Sequence, residues 1–171
     1  MYELINYEIK NKSSISEYLA DIKYSDHDLV VKGQSTYEFY FSEEHKILFK
    51  EIIDTFIKLA GKDWYVLEFW TNWYGKGGFV KEHNHVAEEG VLEDVPHKSG
   101  VYYFKKPINS GDLILNKKII EVKENDFILF DSKTMHKSQS NKTNEVRIIF
   151  SINLAYKVEK LGGKQTMRFY S

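Results

Sequence analysis

Two of the six histidines in this 171-residue chain stand two positions apart, in Lys81-Glu-His-Asn-His85. On a β-strand, side chains at i and i+2 project from the same face about 7 Å apart along the backbone, so both imidazoles can bind one metal ion. A single His-x-His pair is weak evidence alone, because two solvated histidines beside a loop give the same pattern. The chain has no cysteine, so any metal site must use histidine and carboxylate ligands.

A third histidine and an arginine strengthen the metal-site interpretation. His136 follows the apolar segment 126–130 after a short turn, and strands this far apart in a jelly roll can lie on facing sheets. The segment after it alternates in polarity, and its more polar face comprises Arg147, Ile149, Ser151 and Asn153. This face should look into a cavity, where a buried guanidinium needs an anionic partner. The partner is either a bound ligand or a neighbouring Asp or Glu.

The patterning around these residues predicts helices first and strands afterwards. Helices are expected at about 14–22 and 43–60, where apolar residues recur at helical spacing. Turn residues, including Gly75 to Gly78, separate the later segments. Strands are expected near 64–74, 79–85, 99–105, 112–115, 118–122, 126–130, 135–139 and 146–156.

The length suits one domain with a single core. We expect residues 1–62 to form a helical support region, residues 63–156 a jelly-roll core, and residues 157–171 a C-terminal extension. The predicted fold class is therefore mainly β with N-terminal helices, built on a double-stranded β-helix with jelly-roll or cupin-like architecture.

The composition excludes several classes of partner. Lys and Arg number 24 against 25 Asp and Glu, so nucleic acid is not indicated. No apolar stretch approaches the length of a membrane span, and Met1-Tyr-Glu-Leu-Ile5 does not resemble the start of a signal peptide. We therefore expect a soluble cytoplasmic protein with no membrane contact. The primary substrate and the oligomeric state stay open.

The four candidate residues together resemble the pattern of the iron(II)- and 2-oxoglutarate-dependent oxygenases. That pattern is a His-x-(Asp/Glu) pair, a distal His about fifty residues later, and an Arg about ten residues after it. The positions are occupied here by His83, His85, His136 and Arg147. The resemblance covers roughly residues 64–156, and it is to a small branch, known partly from phage and bacteria, in which His-x-His replaces His-x-Asp.

The resemblance implies a hydroxylase-type oxygenase that uses Fe(II), 2-oxoglutarate and O2 on an unidentified substrate. In that scheme His83, His85 and His136 are the metal ligands and catalytic residues, and Arg147 grips the distal carboxylate of 2-oxoglutarate. The motif Asn72-Trp-Tyr74-x-x-Gly77 is similar to one that binds 2-oxoglutarate in nucleic-acid demethylating members of the family. A structural turn would explain the same motif.

Three further residues complete the expected 2-oxoglutarate site. Ser151 and Asn153 share the predicted cavity face of Arg147. Tyr102 and Tyr103 are neighbours on one predicted strand, so only one of them can face the cavity. We select Tyr102 as the candidate, and core packing is its alternative role.

A cupin is the competing interpretation. Gly77, His83, His85 and Glu89 match most of the first cupin motif, and a cupin would hold Mn, Fe or Zn without 2-oxoglutarate. Arg147 is required only by the oxygenase. A non-catalytic module that keeps the fold without metal is a third possibility.

Two departures from the oxygenase pattern bear on the ligand set. His85 replaces the usual carboxylate, which leaves one more positive charge on the iron unit, so the pattern supports metal binding more directly than it supports activity. Glu89 and His97, in the acidic insertion after His85, are additional candidate ligands.

Overall fold

The computed structural model describes residues 1–22, 25–36, 43–85 and 97–156. Its helices are α1 (Lys12–Asp21), α2 (Glu43–Leu48) and α3 (Lys50–Ala60). Its strands are β1 (Tyr2–Asn6), β2 (Val30–Ser35), β3 (Trp64–Val80), β4 (His97–Lys105), β5 (Leu113–Leu115), β6 (Lys118–Ile120), β7 (Asp126–Asp131), β8 (His136–Ser138) and β9 (Arg147–Tyr156).

The strands form two antiparallel sheets. The larger sheet has the order β1-β7-β4-β9-β3-β2, and the smaller has the order β6-β5-β8. Apolar side chains from both sheets meet in one cluster, which includes Tyr103 and Ile149 of the large sheet and Leu113 and Leu115 of the small one. This architecture confirms the predicted jelly-roll core.

The helices cover the opposite face of the large sheet. Ile52 and Phe56 of α3 are fully buried, and the Phe56 ring lies 5.0 Å from that of Phe127. Gly100 on β4 permits this close packing, because a Cβ there would stand 2.5 Å from the Phe56 ring. The apolar faces of the helices therefore belong to the core, and the predicted cavity face lies on the other side of the sheet.

Some local predictions differ from the structure. Gly75 to Gly78 lie within β3, where they bulge opposite Lys32 between the pairs Val31–Phe79 and Gly33–Tyr74. The four residues are accommodated without ending the strand, since Gly77 takes a positive φ of 79° that glycine tolerates. The helix expected over 43–60 is interrupted at Phe49.

The first 62 residues contribute strands as well as helices. β1 was not expected from the sequence, and it forms an edge of the large sheet by pairing with β7. The predicted C-terminal extension, 157–171, lies outside the described residues. Within the described ranges, none of the helices is both long and apolar enough to cross a membrane.

Candidate metal and cosubstrate site

The three predicted histidine ligands lie together in the structure. His83, His85 and His136 each offer a ligand nitrogen, and these atoms lie within 4.8 Å of one another. His83 and His136 form an isolated antiparallel bridge, with backbone hydrogen bonds of 3.0 and 2.8 Å. The His85 amide donates to the Ser132 carbonyl at 2.9 Å. Backbone pairing therefore sets the spacing of the three rings.

Hydrogen bonds fix which nitrogen two of these rings present. Nδ1 of His83 lies 2.7 Å from the Lys81 carbonyl oxygen, and Nδ1 of His136 lies 2.9 Å from the Thr134 carbonyl oxygen. A carbonyl oxygen only accepts, so each Nδ1 carries a proton and each Nε2 keeps its lone pair for a metal.

The environment keeps the histidines neutral. Burial lowers the pKa of His85 to about 3, and repulsion by the His136 and His83 rings adds to the effect. Burial also lowers the pKa of His136 to about 4. Neutral imidazole is the form that binds metal ions, so the set can bind a metal at neutral pH.

A polar network holds the outer side of the His85 ring. Its Nδ1 lies 3.2 Å from the Asn153 amide nitrogen, and that nitrogen also donates to a Glu68 carboxylate oxygen. The Asn153 side-chain oxygen accepts from the Ser99 hydroxyl at 2.8 Å. The amide is thus held from three directions beside a candidate metal ligand.

The strand register places the other candidates on one face of the large sheet. Cross-strand neighbours on an antiparallel pair share a face. The β3–β9 pairs on the cavity side are Glu68–Asn153, Trp70–Ser151, Asn72–Ile149 and Tyr74–Arg147. The predicted cavity residues of these two strands therefore form a continuous surface that runs from His85 to Arg147.

Arg147 is almost completely buried, with 1% of its surface exposed. Nη1 donates to the carbonyls of Ser110, Gly111 and Gln139, and Nη2 donates to the Ser138 hydroxyl at 2.9 Å. Within the described residues no carboxylate forms an ion pair with the guanidinium, and Nε has no hydrogen-bond partner.

Two further buried polar groups on this face, the Asn72 side-chain oxygen and the Tyr74 hydroxyl, have no hydrogen bond of good geometry within the described part of the chain. Burial raises the pKa of Tyr74 to about 12, against the opposing effects of Arg147 and of the nearby Asn72 side chain. The Tyr74 ring packs under the guanidinium, with Cζ 4.5 Å from the ring centroid. Buried polar groups normally have partners, so this end of the cavity suits a polar ligand.

Ser138 connects the two ends of the site. It follows His136 by two positions on β8, so the two side chains project from one face of the strand about 7 Å apart. Because the Ser138 hydroxyl accepts from Arg147, only the Ser138 side chain separates the guanidinium from the end of the site that holds His136. A small dicarboxylate could span this interval.

The selection of Tyr102 over Tyr103 is wrong. Tyr102 packs in the cluster between the large sheet and the helices, and its ring stacks on Phe127 at 4.0 Å. Tyr103 belongs to the cluster on the cavity side. Adjacent residues on a strand face opposite sides, so the cavity position falls to Tyr103.

The two additional ligand candidates are not in the histidine group. His97 begins β4 and pairs with Ala155; it is absent from the metal-binding group found among the described residues. Glu89 lies outside the described residues, as does most of the acidic insertion.

Sequence reasoning missed Glu68 and Ser138. Alternation contains the signal for Glu68, since it stands two positions before Trp70 and four before Asn72 on one strand. A glutamate in a strand ordinarily indicates a solvent-facing position, and here it contacts Asn153.

Sequence comparison and structure comparison give different results for this chain. No protein-family model and no curated protein matches it by sequence. Solved structures do match. HygX from Streptomyces hygroscopicus, with nickel, 2-oxoglutarate and hygromycin B bound, has a TM-score of 0.69 at 11% identity, covering 91% of this chain and 82% of HygX.

The viral collagen prolyl hydroxylase vCPH from Paramecium Bursaria Chlorella virus-1, in its 2-oxoglutarate complex, has a TM-score of 0.63 at 14% identity, with 91% and 96% of the two chains covered. A 2OG-Fe(II) oxygenase family oxidoreductase from Burkholderia pseudomallei has a TM-score of 0.68 at 10% identity, with 90% and 84% covered. The fold implied by the sequence resemblance is therefore confirmed.

Proposed function

We propose that this protein is an Fe(II)- and 2-oxoglutarate-dependent oxygenase of the hydroxylase type. One observation carries the proposal: the histidine group and a buried arginine without a carboxylate partner among the described residues are linked through Ser138, which follows His136 on β8 and accepts a hydrogen bond from Arg147. A metal site alone suits many enzymes, and a buried arginine alone suits a structural role. Their combination suits a metal enzyme with an anionic cosubstrate. The shared fold with HygX and vCPH, both solved with 2-oxoglutarate, supports the same function.

The donor set fits Fe(II). Burial favours the neutral form of His83, His85 and His136, their candidate ligand nitrogens lie within 4.8 Å of one another, and imidazole is a suitable ligand for iron. Three protein ligands leave coordination positions open for cosubstrates. When bound, iron and 2-oxoglutarate supply the chemistry that couples oxidative decarboxylation of the cosubstrate to oxidation of the substrate by O2.

Arg147 is the proposed binding residue for the distal carboxylate of 2-oxoglutarate. Its Nε has no partner, and Nη2 has one N–H beyond that directed at Ser138. These two groups form one edge of the guanidinium and can bind a carboxylate as a fork. The anion would also balance a buried positive charge that is otherwise costly.

Tyr74 is the proposed second donor to this carboxylate. Its phenol stays protonated at neutral pH because burial raises its pKa to about 12, so the hydroxyl can donate to an anion. Asn72 and Ser151 line the interval between Arg147 and His85, and we propose that they contact the cosubstrate. Asn153 contacts His85 and acts at the metal end.

Aromatic side chains shape the metal end. The Trp70 ring lies 5.9 Å from that of His85, and the Phe130 ring lies 4.9 Å from that of His136. These contacts hold the ligand rings in place and exclude water from one side of the site, which strengthens electrostatic interactions within it.

The cupin alternative is less well supported. A cupin would bind metal through the same histidines and Glu89, which lies outside the described residues, and it would not need a buried arginine facing the cavity. The primary substrate of the oxygenase is unassigned. We further propose a cytoplasmic protein without a membrane partner, with O2 as the second cosubstrate that the oxygenase reaction requires. The near-balanced charge supports the absence of a nucleic-acid partner.

Anaerobic titration of the Fe(II)-loaded protein with 2-oxoglutarate tests the proposal. We expect a metal-to-ligand absorption band to appear with saturation, followed on exposure to O2 by conversion of 2-oxoglutarate to succinate. Iron binding without the band would favour the cupin function. Absence of iron binding would leave only the non-catalytic module.

A further inference from the structure

The Asn153 amide separates a carboxylate from a candidate metal ligand. Its nitrogen lies 3.2 Å from His85 Nδ1 and donates to Glu68. Glu68 and Asn153 are cross-strand neighbours on β3 and β9, so the contact is built into the sheet register. A carboxylate therefore lies one amide group away from the His85 ring.

The amide is held firmly in this position. Asn153 is 6% exposed and Ser99 is 3% exposed. The Ser99 hydroxyl donates to the Asn153 side-chain oxygen and lies 2.9 Å from the Ser132 hydroxyl, while the Ser132 carbonyl accepts from the His85 backbone amide. The Ser99 hydroxyl fixes which way the amide faces, because it donates to the oxygen and leaves the nitrogen directed at Glu68 and His85.

The ligand set itself carries no negative charge. Three neutral imidazoles leave a divalent ion with both of its charges, whereas a set with one carboxylate ligand neutralises one of them. In a partly buried site a nearby anion interacts strongly with such an ion. The Glu68 carboxylate also opposes the lowering of the His97 pKa by burial.

We propose that Glu68 supplies, from outside the ligand set, the negative charge that His85 does not bring to the metal. Asn153 is the positioning residue between them: it holds the His85 ring and the Glu68 carboxylate at fixed separation. Partners of this kind, which contact a ligand but not the metal, orient the ligand and tune metal affinity. This inference rests on the metal site of the proposed function and does not require 2-oxoglutarate.

A double-mutant cycle on metal affinity tests the charge role. The full chain and its variants are titrated anaerobically with Fe(II) against a competing chelator. Glu68→Gln keeps the shape and hydrogen-bonding capacity but removes the charge, and we expect it to weaken Fe(II) binding about 10- to 100-fold. In the His85→Asp background the ligand set has its own carboxylate, so the same change should cost less than about threefold.

Glu82→Gln is the matched control. Glu82 is next to His83 in sequence, but its side chain is 43% exposed and lies 3.2 Å from the Lys137 ammonium. Solvent and this partner screen its charge, so its removal should leave Fe(II) affinity within about twofold. A general effect of removing one negative charge would instead weaken Fe(II) binding equally in Glu68→Gln and Glu82→Gln.

The effect of Glu68→Gln on Fe(II) affinity in the wild-type and His85→Asp backgrounds decides whether Glu68 acts through its charge. Equal weakening in both backgrounds would show a structural role for Glu68 and overturn the inference. An absence of weakening in both backgrounds would also overturn it.

If Glu68→Gln does not fold, as judged by thermal unfolding of the metal-free protein, Glu68→Asp takes its place. That variant retains the charge and should keep Fe(II) affinity within about tenfold of wild type; a complete loss would overturn the charge role. Failure of the wild-type chain to bind Fe(II) would overturn the metal site and this inference together.

Discussion

Substitution of Arg147 by lysine separates the binding role of this residue from its charge. The guanidinium presents an Nε without a partner beside an Nη2 that contacts Ser138. Lysine keeps the positive charge in the cavity, but a single ammonium cannot form the two parallel hydrogen bonds of a guanidinium edge. Arg147→Ala would be less informative, because it would also leave the three carbonyls bound by Nη1 without their donor.

The expected decrease in 2-oxoglutarate affinity follows from the loss of one charge-assisted hydrogen bond. Such a bond contributes about 1.5–3 kcal/mol, so 2-oxoglutarate affinity should fall about 10- to 150-fold. Fe(II) affinity should be nearly unchanged, since Ser138 stands between Arg147 and the metal end. Lysine can still donate to one or two of the carbonyls of Ser110, Gly111 and Gln139, so the free energy of unfolding should fall by only about 1–2 kcal/mol.

The assay is the anaerobic titration of Fe(II)-loaded protein with 2-oxoglutarate, with the Fe(II) affinity of each variant measured separately. Lys105→Gln is the control: it removes a positive charge on an exposed side chain that lies 4.0 Å from Glu145, outside the cavity. An affinity for 2-oxoglutarate that is the same in wild type and Arg147→Lys would refute the assignment of Arg147. A parallel loss of Fe(II) binding would show that the substitution disturbs the whole site.

Three further predictions address the metal end and the core. The His83→Ala, His136→Ala double variant should lose Fe(II) binding, as measured by equilibrium dialysis and metal analysis; full occupancy would exclude this site. The metal-free protein should lose stability as the pH falls from about 6.5 to about 4, because burial lowers the His136 pKa to about 4 from 6.5 and the unfolded chain therefore takes up the proton first. His136 contributes on the order of 3 kcal/mol to this loss, and His85, whose pKa burial lowers to about 3, contributes a similar amount over the same pH range. Urea unfolding at a series of pH values should therefore show a loss in His136→Gln that is about half that in wild type. Gly100→Ala should cost about 1–3 kcal/mol, since its Cβ would stand 2.5 Å from the Phe56 ring; urea unfolding with no shift in midpoint would contradict this packing.

Strand alternation predicted the composition of the cavity face where one side of a strand is distinctly more polar. Along β9, Arg147, Ser151 and Asn153 alternate with apolar residues, and the structure places them opposite Tyr74, Trp70 and Glu68. The apolar set packs against the helices. A period of two is enough to assign faces here, because the two sides of the strand meet different surroundings.

The same reasoning fails where both faces of a strand are buried. Residues 99–104 of β4 are all buried, since one side packs on the helices and the other on the cavity cluster. Tyr102 and Tyr103 are chemically identical, so polarity could not distinguish them. The register with β9, which pairs Tyr103 with Ile149, decides the question, and register depends on contacts distant in sequence.

Long-range pairing also explains why β1 and the role of Glu68 escaped prediction. β1 is exposed along its whole length and has no alternation to detect; its conformation comes from pairing with β7, more than a hundred residues away. Glu68 is a related case, because a carboxylate in a strand resembles a surface residue until the strand that carries Asn153 is placed beside it. The three histidines therefore describe the metal site incompletely. Residues 83, 85 and 136 make the ligand set neutral. The carboxylate that could offset the charge of the metal lies on a strand that contributes none of the three ligands.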